Sequence, residues 1–363
     1  MNRAGRNSGY ATFLVAIVVA LLAVVLLAVA RVQEDASPKL KRLQSEVAQE
    51  TTAQSIVARA AFLLLSEPIG PRSILIGGDR SADVTAGSAS ERMHAASGAQ
   101  IAEAHLDGRR YAVNIPGALS AGWASVSLQD ENGLINLNSL DDDALGALLL
   151  EAGVPERTAQ HLAATLGDYV DEDDLVRPMG AEKNTYQRER LPVPANRALA
   201  SRWGALNAID WSSALNEAQL DGVWRSVSVG PAGNALNVNT APPSVLSAVL
   251  GDPRTARELI ERREKMVLAN KDELEGLIGV NTRANGAVLA TQTGNRFRLV
   301  VSFYEAGRSW PRELESQLEL AGPDAERPVY WREAWRELAG TLDGQGRNVK
   351  PSLLPESAAL FSN

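Results

Sequence analysis

Cysteine is absent from the 363 residues, which excludes disulfides, thiolate nucleophiles and cysteine-held metals at the outset. Histidine is scarce: His94, His105 and His161 stand apart, at no spacing that would pair them on a metal ion. A phosphate-binding GxxxxGK(S/T) loop, a GxSxG nucleophile elbow and a zinc motif are all missing. Basic residues are outnumbered 36 to 44 by acidic ones, for a formal charge of -8. A surface of that sign repels phosphate backbones on average, which argues against a general nucleic-acid binder. What the chain does hold is 45% hydrophobic residues, enough to bury one sizeable core or two smaller ones.

Charge is missing altogether from residues 10–30, YATFLVAIVVALLAVVLLAVA. As a helix this stretch would span about 30 Å, the thickness of a bilayer's hydrocarbon core. Arg3 and Arg6 precede it with no acidic residue, so the positive-inside rule keeps residues 1–9 cytoplasmic and exports the chain beyond Arg31. Two processing schemes fit. In one, Ala28-Val29-Ala30 is a small-x-small signal site and the mature protein starts near Arg31. In the other, residues 1–9 are a short leader cut after Gly9, and 10–30 stays as an anchor. Residues 31–66 contain no glycine and only Pro38, while Leu40, Leu43, Val47, Val57, Ala61 and Leu64 recur at helical spacings or multiples of them. That pattern implies an anchor running on into a long amphipathic helix, and it favours the second scheme.

Residues 67–105, rich in Gly, Ser, Ala and Pro, read as a loop. Alternation over 109–115 and 123–131, joined by Pro116-Gly117, predicts a hairpin, and 297–305, 313–320 and 329–335 predict three further strands of the same antiparallel sheet. Trp310, Trp331 and Trp335 lie on or beside those late strands, where core packing or a partner-binding face are the two readings. Between the two groups of strands lies an internal repeat. INLNSLDDDALGALLLEAGV starts at Ile135 and LNVNTAPPSVLSAVLGDP at Leu236. Each copy has an apolar-Asn-apolar-Asn strand, a residue suited to cap a helix (Ser139, Thr240), then acids or prolines in the first turn. Leucines at helical spacing come next (Leu145 and Leu149; Leu246 and Leu250), then a glycine turn and a second helix. The middle section is therefore expected to hold two helical hairpins.

Two acidic groups stand out. Asp141, Asp142 and Asp143 suit the positive end of a helix dipole and need no ligand. Asp168, Asp171, Asp173 and Glu182 form a hard-oxygen set in a loop, without the spacing of an EF-hand, and Asp130 with Glu131 is an alternative pair.

A basic leader ending in glycine, an apolar helix and an amphipathic extension together resemble the N-terminus of type IV pilins and pseudopilins. DENGLINLN (130–138), DYVDEDD (168–174), GAEKNTY (180–186), PVPAN (192–196) and LNVNTAPPSVL, in that order, resemble the K-type minor pseudopilin of type II secretion. That resemblance implies an α+β fold: a pilin-like long N-terminal helix packed on an antiparallel sheet, with a large inserted α-helical domain containing the two hairpin units. The segments are then 1–9 leader, 10–30 transmembrane helix, 31–66 its extension, 67–133 and 293–363 the pilin-like domain, and 134–292 the insertion. It further implies prepilin peptidase cleavage between Gly9 and Tyr10, N-methylation of Tyr10, and calcium as a structural ion at one of the acidic sets. At the fifth mature position, where most such subunits carry glutamate, stands Leu14, the apolar choice of a subunit with no neighbouring amine to neutralise. The implied role is a non-enzymatic tip subunit in the inner membrane, N-terminus cytoplasmic and head periplasmic, partnered by I- and J-type minor pseudopilins.

The alternative is an exported DNA-binding protein, because the hairpins also resemble helix-hairpin-helix units and the second resembles the INVNTA repeat of DNA receptors. Such units need a Gly-apolar-Gly turn whose bare N–H groups approach a phosphate. Gly153-Val154-Pro155 and Gly251-Asp252-Pro253 place proline, which lacks an N–H, at the second glycine, so no nucleic-acid partner is expected.

Overall fold

The computed structural model describes residues 8–76, 102–113, 122–139, 142–231, 235–278, 283–284, 287–305, 312–320, 329–337 and 352–353. Residues 1–7 of the leader, His94, the Pro116-Gly117 turn and Trp310 lie outside them.

Helix α1 (Ser8–Ser66) is continuous over 59 residues, about 90 Å at 1.5 Å per residue. It passes through Pro38, where only the bond to the Glu34 carbonyl is necessarily lost. Among the described residues no helix is long and apolar enough to cross a membrane; the side chains of the uncharged stretch are described continuously only over 12–27. The amphipathic stripe expected from the sequence divides in two. Val57, Ala61 and Leu64 are buried against the sheet, whereas Leu40, Leu43 and Val47 are exposed. The reason is register and reach: at 100° per residue Val47 falls in line with Ala58 and Leu65, not with Val57, while Leu43 is in line with Ala61 but lies in the part of α1 before Gln49, where no described residue is buried. Leu40, Leu43, Val47, Phe62 and Leu65 therefore make a second stripe along α1, all of it exposed.

Strand β1 (Ser73–Ile76) pairs antiparallel with β2 (Ala102–His105), correcting the loop expected across 67–105. Ile74, Ile76 and Ala104 reach the core beneath α1, a short apolar alternation hidden among small residues. β3 (Asp107–Val113) and β4 (Gly122–Asp130) form the expected hairpin. With β10 (Arg296–Glu305), β11 (Arg312–Leu320), β12 (Val329–Glu337) and β13 (Ser352–Leu353) they build one sheet in the order β12-β11-β10-β4-β3-β13. All neighbours are antiparallel except β13, which lies parallel to β3. Trp331 and Trp335 fall on β12, opposite Leu318 and Leu314. The aliphatic faces of β3, β4, β10 and β11 close over α1, with Phe297, Leu299, Val301 and Leu314 fully buried.

β4 and β10 are direct neighbours, Asp130 facing Phe297, so the helical insertion leaves and re-enters at adjacent strand ends. It comprises β5 (Ile135–Asn136), α2 (Asp142–Glu151), α3 (Glu156–Val170), α4 (Lys183–Glu189), α5 (Trp211–Ala214), α6 (Glu217–Ser226) and β6 (Val227–Ser228) in its first half. The second half holds β7 (Ala235–Asn237), α7 (Pro243–Leu250), α8 (Pro253–Lys265), α9 (Lys271–Ile278), β8 (Arg283–Ala284) and β9 (Ala287–Ala290). Each repeat is a strand, a helix, a glycine turn and a second helix, and a later strand returns parallel to the first: β6 to β5, β9 to β7. Gly153 (φ 78°) and Gly251 (φ 63°) make the left-handed turns between the helices. The two hairpins share one core in which Leu145, Leu149 and Leu246 are fully buried, with Leu250 at its margin.

The repeated asparagines explain the repeated sequence. Asn138 Nδ2 donates to the carbonyls of Leu199 (3.0 Å) and Gly230 (2.9 Å), and its Oδ1 accepts from Leu199 N (2.7 Å). Asn239 does the same for Leu268 O (2.8 Å), Thr291 O (3.1 Å) and Leu268 N (3.1 Å). Each satisfies buried backbone groups of an incoming segment that have no ladder of their own. In the second copy the expected cap is not a cap, and the start of α2 after Ser139 lies outside the described residues. Thr240 Oγ1 donates to Asp130 (2.9 Å), Ser139 Oγ accepts from Asn136 Nδ2, and α7 starts with Pro243, whose missing N–H needs no acceptor.

Candidate functional site

α3 carries Asp168 in its last turn, the chain then turns outward through Asp171, and Glu182 brings it back at the start of α4. One carboxylate oxygen from each of these three lies within 4.8 Å of the others. Two oxygens bound to a single calcium ion at about 2.4 Å each can stand up to about 4.8 Å apart, so the set fits one hard divalent cation. Asp168 is fully buried and Glu182 is 3% exposed. Neither Glu182 oxygen nor Asp171 Oδ1 finds a hydrogen-bond partner among the described residues. Burial, then the charges of Asp168 and Asp171, push the Glu182 carboxyl up to about 7, and burial raises Asp171 as well. Buried carboxylates facing one another with unsatisfied lone pairs are what a cation would relieve.

Part of that charge is already met by Arg177, which the sequence pattern did not single out. Its Nη1 reaches Asp168 (3.1 Å) and Asp171 (2.5 Å), and its Nε stands 3.3 Å from Asp142. Gly180 is required here, since a Cβ at that position would overlap the Asp168 carboxylate. The loop is pinned to α3 by His161, whose ring nitrogens contact Met179 O (2.7 Å) and Asp210 (2.9 Å). No spacing in the chain announced Arg177 or His161, because both act across a fold-back.

Three residues of the sequence-derived ligand sets are not brought to this site. Asp173 instead closes its own turn, accepting from Leu175 N (2.8 Å). Asp130 is fully buried between sheet and insertion and accepts from Asn132 N, Gly294 N, Asn237 Nδ2 and Thr240 Oγ1 at 2.9–3.1 Å. Glu131 accepts twice from Gln317 (2.8 Å) and faces Arg296 and Arg298. Protein donors take up the lone pairs a cation would need, so Asp130 and Glu131 join the two domains instead.

The second hairpin turn is equally committed. Asp252 caps α8, accepting from Arg254 N (3.0 Å) and Thr255 N (3.2 Å), and the Thr255 hydroxyl holds its carboxyl below the usual range. The amides a phosphate would approach there are occupied by a carboxylate.

Residues 127–220 match one family model and residues 236–294 another, both described as type II secretion system (T2SS), protein K. No curated protein matches the chain. A solved structure, the GspK-GspI-GspJ complex from the type 2 secretion system of enterotoxigenic Escherichia coli, contains a chain similar to this one. The two align with a TM-score of 0.46 and 14% identity over 82% of this chain and 98% of that one. The two family matches run from within β4 to the residues just before β10, leaving out 221–235, which holds most of α6 and all of β6. The resemblance of the repeats and their connecting segments to the K-type pseudopilin is borne out.

Proposed function

We propose that this chain, whose insertion matches the family models of type II secretion system protein K, is the minor pseudopilin at the tip of a short periplasmic filament. The observation that carries the reading is the second apolar stripe of α1. Leu40, Leu43, Val47, Phe62 and Leu65 stand exposed along a helix whose opposite side is already packed on its own sheet. A stripe of that kind, continuing below an uncharged 10–30 segment, is the surface through which helices of neighbouring subunits bundle. Residues 10–30 are the single membrane anchor, residues 1–9 the cytoplasmic leader, and the head is periplasmic. Prepilin peptidase cuts between Gly9 and Tyr10 and the Tyr10 amine is methylated. Leu14, exposed on α1, leaves the tip subunit with no buried carboxylate to neutralise. The solved complex contains GspI and GspJ alongside GspK, and I- and J-type pseudopilins are the partners proposed here. The bulky insertion stops growth above the tip, initiation and termination resulting from shape rather than from bond chemistry. Calcium is proposed as a structural ion held by Asp168, Asp171 and Glu182, where it would tie the α3–α4 loop to the insertion core.

Mass spectrometry of the mature protein from native envelopes tests the anchor. An N-terminus at methylated Tyr10 is expected; a soluble chain starting at Arg31 would end the assembly reading.

A further inference from the structure

Beyond α1, nine large hydrophobic side chains are exposed among the described residues, and five of them, Leu175, Val176, Met179, Leu191 and Val193, fall between 175 and 193. Leu175 is the most exposed of all, at 76%. The two parts of this stretch are tied together by Asn196, whose Nδ2 donates to Asp173 O (3.0 Å) and Asp174 Oδ1 (3.2 Å). Concentrated exposure of this kind on an otherwise polar surface marks an interaction site.

The backbone and the charges narrow the occupant. Pro192 and Pro194 remove two N–H donors from the extended run, so strand addition is blocked and side chains must make the contact. Glu172, Asp173 and Asp174 are exposed immediately before Leu175, while Arg177, the nearest base, is turned toward Asp142, Asp168 and Asp171. Lys183, Arg188 and Arg190 are exposed on the run that leads into Leu191. An anionic lipid surface would be repelled at the acidic edge, and a second copy, which could set this edge against its partner's basic residues, is separated by the self-association arm of the test below. We propose that residues 172–193 form a docking surface for a segment of another protein that presents an aliphatic stretch with lysine or arginine at one end. The apolar stretch covers Leu175, Val176, Leu191 and Val193, and the basic end meets Glu172, Asp173 and Asp174. α1 takes no part, so the surface goes beyond filament assembly and does not depend on it.

The test uses the full chain in phosphatidylcholine nanodiscs and fluorescent peptides with one aliphatic core, led either by lysines or by glutamates, read by anisotropy. Leu175→Ser with Val176→Ser is compared with Leu150→Ser plus Leu277→Ser, two residues exposed elsewhere. The lysine-led peptide is expected to bind at least about tenfold more tightly than the glutamate-led one, and to lose about tenfold or more in the first variant but not in the second. Equal binding of both peptides, no binding, or equal loss in both variants overturns the proposal. So does capture of phosphatidylglycerol vesicles, or self-association, that disappears with Leu175 and Val176. Co-purification with I- and J-type heads is measured on the same variants, so a failure of assembly shows separately.

Discussion

Glu182 shows how a single side chain can sit in the wrong charge state until a ligand arrives. In the unfolded chain its carboxyl releases a proton near 4.5, and in the fold only near about 7. The folded state therefore binds the extra proton between these values. The stability this contributes is complete below the lower value and is lost as pH rises through the upper one. Glu182→Gln keeps the shape and removes the charge, so without calcium the variant should melt higher than the parent at pH 8 and alike at pH 4. Calcium should raise the melting temperature of the parent at pH 8 and leave the variant nearly unmoved, and its effect on the parent should fade as pH drops below 7. A calcium response that survives the substitution would remove Glu182 from the site. Burial raises the Asp130 carboxyl as well, but its surroundings differ. It is as buried as Asp168, yet four donors satisfy it, and a carboxylate so satisfied has nothing to offer a cation.

At the scale of the element, α1 serves two neighbours with one amphipathic code. Its sheet-facing side is settled by Ile56, Val57, Ala60, Leu63 and Leu64, all buried. Substituting Val47 on the other side touches no internal contact, so Val47→Glu should change the unfolding free energy of this chain by no more than about 0.5 kcal/mol. Co-purification with I- and J-type heads should fall several-fold, because a charge would enter the helix bundle. Intact assembly by this variant would locate the subunit interface elsewhere. The hairpin units show a different economy of code: equivalent asparagines at 138 and 239 fasten unlike segments, Leu199 with Gly230 in one copy and Leu268 with Thr291 in the other.

Across the whole molecule, insertion and sheet are joined by a set of arginines on strands or loops far apart in sequence. Arg298 of β10 donates to Trp224 O (2.8 Å) and Val227 O (2.6 Å), and Arg202 reaches Glu315 of β11 (2.6 Å). Arg298→Met would strip the donor from Val227 O, leave Trp224 O with Arg202 Nη1 alone (3.3 Å) and remove a buried charge beside Glu131 and Glu315, and should cost about 3 kcal/mol in urea unfolding. Arg296→Met, whose nearest carboxylates stand 3.6 and 3.8 Å away, should cost about 1 kcal/mol or less. Equal losses would mean that the backbone clamp does not hold the domains.

The sequence by itself determined the features that depend on local pattern. Helical spacing, strand alternation, the glycine turns and the repeated Asn-x-Asn word placed α1, the hairpin β3–β4, the late strands and both helical hairpins, because each is written in residues a few positions apart. β1, β2 and β13 escaped it, being too short for an alternation to show. Tertiary structure alone decided which of the acids converge, since Asp168 and Glu182 meet only when α4 folds back onto α3, and Asp173 and Asp130 are drawn off by nearer donors. It also decided that Leu40, Leu43 and Val47 remain bare: a periodic stripe says that a helix has an apolar side, and only the position of the sheet says which part of that side is covered.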